Sequence, residues 1–262
     1  MRALRSAAAA LALTALPALP AVAQDIATHI QAGDAARCRR EAGEALEHFR
    51  AALAIDSMNY DALWRASQVL VDMGKMISSN QQRARRDSLY AEGLDLAQRA
   101  VRQNANGADG HFMVAVATGR VALTKGPRDR VRYAGTVRDE ALRAIELDPR
   151  HAGAMHVMGR WNAEIQRLPG LTKFFAKTFL GASIFNQASW ANAVDYFSQA
   201  ITIQPENIYH HLDLAEALVD ADREQEAIPH LERVAQLDLG CDPMDATYKE
   251  QAAALLTRIR QH

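Results

Sequence analysis

Ala193-Val-Asp-Tyr-Phe197-Ser-Gln-Ala200-Ile-Thr-Ile-Gln-Pro205 decides how this chain is to be read. It places small, aromatic, small and proline at spacings of four, three and five. Ala193 and Ala200 let a neighbouring helix come close, Phe197 fills the gap between helices, and Pro205 stops the helix. A helix built this way is one half of an antiparallel pair, so the rest of the chain is expected to supply its partner and further copies.

Small-aromatic-small-proline is the second-helix signature of a tetratricopeptide repeat. Counting outward, the end position recurs at Ser57, Ala105, Pro149, Pro205 and Leu239, at intervals of 48, 44, 56 and 34 against a standard period of about 34. First helices carry their small packing residue at Gly33, Ser67, Ala115, Gly159 and Ala215; second helices carry it at Ala45, Gly93, Val137, Ala193 and Ala227. The pattern predicts an all-α, right-handed tetratricopeptide-like superhelix of five antiparallel pairs. Asp245–Arg260 reads as a capping helix, with Tyr248, Ala252, Leu255 and Ile259 on one face. The excess length of pairs two, three and four falls between the first and second helix, and is expected to form loops on one rim. Ser78–Arg86 and Arg128–Arg132 are accordingly read as solvated connections. In the fourth pair, Leu171-Thr-Lys-Phe-Phe-Ala-Lys-Thr-Phe-Leu-Gly181 reads as an extra helix packed over the rim or inner wall; a membrane-surface helix is the alternative.

The first residues have a different composition. Met1–Arg5 is basic, Ser6–Pro20 is apolar, and Ala21-Val-Ala23 is a small-x-small cleavage site. Residues 1–23 are therefore read as a cleavable signal peptide and 24–262 as the repeat domain, in a periplasmic or secreted protein. No stable membrane span is expected after cleavage. Loss of Arg2 and Arg5 leaves 28 basic residues against 31 acidic ones, a balance that attracts neither nucleic acid nor anionic membrane. Cys38 and Cys241 sit near opposite ends of the array. Helices stacked roughly 8–10 Å apart cannot bring their Cα atoms within the roughly 7 Å a bridge needs, so two separate thiols are expected.

His156-Val-Met-Gly-Arg-Trp161, the apolar insert ending Phe179-Leu-Gly181, Ser189-Trp-Ala-Asn-Ala-Val-Asp-Tyr-Phe197 and Asp245-Ala-Thr-Tyr-Lys-Glu-Gln-Ala252 resemble the regulator of microtubule dynamics family. The likeness spans about residues 40 to 256, including the oversized fourth unit. It implies a helical superhelix acting as a binding module. Animal members are associated with microtubules or organelle contact sites, and one has a phospholipid-binding repeat domain. This chain differs from them in opening with an export signal, which favours a lipid or peptide pocket over a cytoskeletal role.

Repeat positions that face the concave wall select Trp64, Phe112, Val116, Arg120, His156, Arg160, Tyr209 and Leu212 as candidate ligand-binding residues. Arg120 and Arg160 could pair with a carboxylate or phosphate; equally, they could bridge to Glu164 or Glu216 within the wall. Adjacent helical residues point about 100° apart, so His210 and His211 cannot share an ion. His151 and His156 miss the i,i+4 spacing of helical metal sites. No metal or cofactor is expected, and no nucleophile elbow, phosphate loop or paired carboxylate marks an enzyme. The expected partner is a protein or peptide segment, with a phospholipid or hydrophobic ligand as the alternative.

Overall fold

The computed structural model describes residues 21–169 and 183–261. Most of the signal stretch (1–20) and the apolar insert around 171–181 lie outside the described residues. Eleven α-helices occur among the described residues: α1 (Ala21–Cys38), α2 (Ala42–Ile55), α3 (Tyr60–Lys75), α4 (Arg83–Gln103), α5 (Ala108–Leu123), α6 (Pro127–Leu147), α7 (Ala152–Arg167), α8 (Trp190–Ile203), α9 (Ile208–Asp220), α10 (Glu224–Gln236) and α11 (Asp245–Arg260). They pack as five sequential pairs, α1/α2 through α9/α10, with α11 against the last pair. Successive first helices also touch one another, so α1, α3, α5, α7, α9 and α11 form the inner wall. None of the described helices is long and apolar enough to cross a membrane.

The packing follows the small-residue pattern. Phe197 is 1% exposed between Ala193 and Ala200, which are fully buried. Its ring presses on the backbone of α7 at Gly159, where an added Cβ would lie 2.6 Å from Phe197 Cδ1. Gly33 meets Phe49 in the same way, at 2.5 Å. In the second pair, Ser67 Oγ donates to the Gly93 carbonyl at 2.7 Å, and the Tyr90 ring of α4 sits on the α3 backbone at Gly74. Pair-to-pair turns share one chemistry. Asp56, Asn104 and Asp148 each accept a hydrogen bond from the backbone amide two residues on. Asn59, His151 and Asn207 then accept from an amide in the first turn of the next helix.

The extra length in the second and third pairs is helical. α4 and α6 each run 21 residues, against 14 in α2 and 13 in α10. Of the two basic stretches expected to be solvated connections, Ser78–Gln82 is one, with a short 3-10 turn, but Arg83–Arg86 opens α4 and Arg128–Arg132 lies in the first turns of α6 after Pro127. Neither stretch contains a residue that breaks a helix once begun, and proline is well tolerated at the first helical position. In the fourth pair the extra length lies between Arg167 and Trp190, mostly outside the described residues.

Cys38 and Cys241 are disulfide-bonded across 203 positions, not separate thiols as expected. The expectation took the pairs as a straight stack. Superhelical curl instead returns the α10–α11 connection to the α1–α2 turn. Beside the disulfide, Lys75 Nζ bridges Asp72 at 2.8 Å and Asp242 at 2.9 Å. Arg37 holds Asp72 at 3.2 Å, and Arg40 donates to the Gly240 carbonyl at 3.1 Å. The array is thereby closed by a clasp whose two halves lie at opposite ends of the sequence.

Candidate functional site on the inner wall

The inner wall of the last pairs carries a buried polar network. α7 supplies His156 and Arg160 one turn apart; α9 supplies Tyr209, His210 and Asp213. Arg160 donates to the Tyr209 hydroxyl at 2.5 Å and to the Asp213 carboxylate at 3.0 Å, and lies 3.3 Å from Glu164. Burial alone would push the Asp213 carboxyl up, but Arg160 and His156 outweigh it and hold the group down at about 2. The same carboxylate keeps the Arg160 guanidinium firmly charged. His156 Nε2 lies 3.1 Å from Asp213 but out of line, and it is the buried side-chain atom left without a hydrogen bond among the described residues.

On its other side His156 Nδ1 meets His210 Nδ1 at 2.9 Å, while His210 Nε2 reaches Gln204 Oε1 at 3.2 Å. A carbonyl oxygen at Gln204 accepts, so His210 carries its proton on Nε2 and its Nδ1 accepts from His156. Burial, then the neighbouring His156, hold the His210 imidazole far below its usual range. A second pair, His211 and His230, meets through Nδ1 atoms at 3.0 Å, and His211 Nε2 donates to the Pro205 carbonyl. Among the described residues no cluster of His, Cys, Asp and Glu could hold a metal ion.

These contacts sort the candidate residues. His156, Arg160 and Tyr209 converge, although His156 is buried at 6% exposure and serves the network instead of the groove. Leu212 is only 1% exposed and belongs to the core between α9 and α10, so it does not face the concave side as expected. Trp64, Phe112 and Val116 are half-buried around one core cluster between α3 and α5. Trp64 lies under the Arg65 guanidinium, and Phe112 packs on His151 and on the α7 backbone at Gly153. The within-wall alternative therefore holds for Arg160. Arg120, at the end of α5, differs: it has no hydrogen bond or ion pair among the described residues and is half-buried. Its charge acts on Tyr90, Tyr209 and Tyr248, from three other helices.

Beyond the network the wall opens into a cleft of about 540 Å³ between α7, α9 and α11. Arg167 and Arg258 supply positive charge, Glu216 and Asp220 negative charge, and Val219, Ala254 and Leu255 an apolar floor. Arg167 pairs with Asp220 at 2.6 Å and Glu164 at 2.8 Å. Burial and then the Asp213 charge raise the Glu216 carboxyl above its ordinary range. Tyr248 stacks on Tyr209 at 4.3 Å, with ring planes 6° apart, fixing α11 over α9. Asp213, Lys75 and Tyr248 were missed from the sequence. A charge inside a helix carries no sign of burial until its cation on another helix is known. The available signal for Tyr248 was its place on the apolar face of α11.

The sequence profile described as Regulator of microtubule dynamics protein 1-3 matches residues 29–260, most of the chain and all five pairs. The chain belongs to this family. It is 25% identical over 154 residues to regulator of microtubule dynamics protein 1 of Bos taurus, covering 59% of this chain and 47% of that protein. Against regulator of microtubule dynamics protein 3 of Rattus norvegicus the identity is 25% over 145 residues, covering 55% of this chain and 30% of that protein. The match thus spans about half the length of the first relative and less of the second. The fold is also that of a solved tetratricopeptide repeat protein of Thermus thermophilus. The TM-score is 0.61 at 16% identity, over 90% of this chain and 99% of that one. This regulator of microtubule dynamics family member is therefore a tetratricopeptide-like helical repeat protein, as the opening helix implies.

Proposed function

We propose that this protein is a non-catalytic binding module that holds an extended segment of a partner protein in the cleft between α7, α9 and α11. The observation that carries the reading is the lining. Charges of both signs surround an apolar floor in an open cleft, which suits a peptide backbone with alternating polar and apolar side chains. An acyl chain would cover Arg258, which has no carboxylate partner among the described residues, whereas Glu216 and Asp220 already face Arg167. Residues 1–23 add an export address, so the module is proposed to act in the periplasm or outside the cell.

A second reading, an anionic phospholipid on the inner wall, is favoured by one observation: Arg120 is a half-buried cation without a carboxylate partner among the described residues. One set of measurements separates the two. Random-peptide display against the folded chain, followed by calorimetry on selected peptides, is expected to give binders weakened at least tenfold by Glu216→Lys or Arg258→Glu. Stoichiometric phospholipid carried through native purification and lost in Arg120→Gln, with no peptide selected, would overturn the peptide reading.

A further inference from the structure

Among the described residues, one set of contacts spans the array from end to end. The well-developed helix interfaces join neighbours or next neighbours in sequence, whereas the clasp joins Cys38 to Cys241, Lys75 to Asp242 and Arg40 to Gly240. Each repeat of such an array is held by its own neighbours. Releasing the clasp therefore leaves the helix pairs intact and changes only how far the ends stand apart.

The disulfide is placed for exchange. Cys38 is exposed and Cys241 half-buried at the surface, so an incoming thiolate can reach the Cys38 sulfur. Arg37, Arg39 and Arg40 flank Cys38. Arg37 is held by Asp72 and Arg39 by Glu41 and Glu44. Arg40 rests on the Gly240 carbonyl, next to Cys241, and has no carboxylate partner among the described residues. Its positive charge favours departure of Cys241 as a thiolate. On the opposite side, Asp242 is neutralised by Lys75, which is itself held charged by Asp72 and Asp242 despite its burial. Arg40 also sits at φ 65 as the left-handed cap of α1, where the Arg40 and Glu41 amides donate to the Arg37 and Ala36 carbonyls, so the α1–α2 turn keeps its own shape when the clasp lets go.

We propose that Cys38–Cys241 is a thiol–disulfide exchange site for a dithiol reductant, and that its reduction opens the ring and widens the concave face. One thiolate of the reductant attacks Cys38 Sγ, forming a mixed disulfide as the Sγ–Sγ bond breaks and Cys241 leaves. The second thiolate attacks the reductant's own sulfur in that mixed disulfide and releases Cys38. Two electrons and two protons pass from the dithiol, which becomes a disulfide, to the protein, which gains two thiols. The inference needs no ligand, and its test is made without one, so its failure is separable from failure of the peptide reading.

The test uses the full folded chain and dithiothreitol as the dithiol. Maleimide tagging is expected to count two thiols within minutes at millimolar reductant, with helical circular dichroism retained. Amide exchange is expected to rise at least tenfold across 237–244 while α7 and α9 keep their protection. The Cys38→Ser/Cys241→Ser variant should reproduce that exchange pattern without reductant, and small-angle scattering should show a larger radius of gyration. Resistance to tagging until denaturant is added would overturn the proposal. So would reduction that leaves 237–244 protected, because the ionic contacts alone would then hold the ring. Simultaneous loss of protection in every helix would equally overturn it, making the bond a staple for the whole fold.

Discussion

Replacing Gly159 by alanine tests whether ring-on-backbone packing governs this array. In isolation the change favours the helix, since alanine gains about 1 kcal/mol over glycine in a helix interior. Here the new methyl would stand 2.6, 2.7 and 2.8 Å from three carbons of the Phe197 ring. That ring is 1% exposed and flanked by fully buried Ala193 and Ala200, so it cannot swing aside without moving α8. Overpacking of this kind costs about 1–3 kcal/mol, leaving a net change between about zero and a 2 kcal/mol loss. Gly119, inside α5, is the internal control: an added Cβ there meets only Val137 Cγ2, at 3.9 Å, and the full gain of about 1 kcal/mol should appear. The two variants should thus separate by about 1–3 kcal/mol in urea unfolding, with midpoints shifted in opposite directions or Gly159→Ala unmoved. In a Phe197→Leu background the penalty at position 159 should shrink, giving a coupling of about 1 kcal/mol. Equal stabilisation by Gly159→Ala and Gly119→Ala would refute the reasoning, because it would mean that α7 and α8 are not held apart by the ring.

Asp213→Asn removes the carboxylate that Arg160 and His156 face, and should destabilise by about 2 kcal/mol in chemical denaturation, because Asp213 is buried while Arg160, 36% exposed, keeps Glu164 and solvent. Acid should weaken the fold in two stages. His210 is held neutral in the fold, so the unfolded chain binds the extra proton below about pH 6.5, and stability falls by up to about 1.4 kcal/mol per pH unit from there. Asp213, depressed to about 2, contributes stability that is present above the unfolded value of 3.8 and lost as pH falls towards 2. Thermal midpoints measured from pH 7 to pH 4 should show the first stage, and His210→Gln should make it shallower, with His211 and His230, also lowered by burial, supplying the remainder; an unchanged slope in that variant would assign the loss elsewhere.

The sequence by itself determined the helix pairs and their count. Ala193, Phe197 and Ala200 specify a local contact, and Gly33, Ser67, Ala115, Gly159 and Ala215 repeat its counterpart. Such contacts lie between elements adjacent in sequence, so spacing alone carries them. Turn positions were legible for the same reason, because Asp56, Asn104 and Asp148 close turns with their own backbone two residues on. The wall was legible only in part. Arg160 and Tyr209 could be placed on the concave side, but whether Arg160 was free depended on Asp213, 53 residues away. Leu212 was assigned to the groove by position number, but it packs in the core between α9 and α10. The clasp was beyond the sequence altogether. Repeat spacing gives the distance between neighbours but not the small rotation from one pair to the next. Such rotations accumulate along the array until Cys241 meets Cys38 and Asp242 meets Lys75. Curvature is a sum over every interface in the array, so only the tertiary structure could decide that the ends meet.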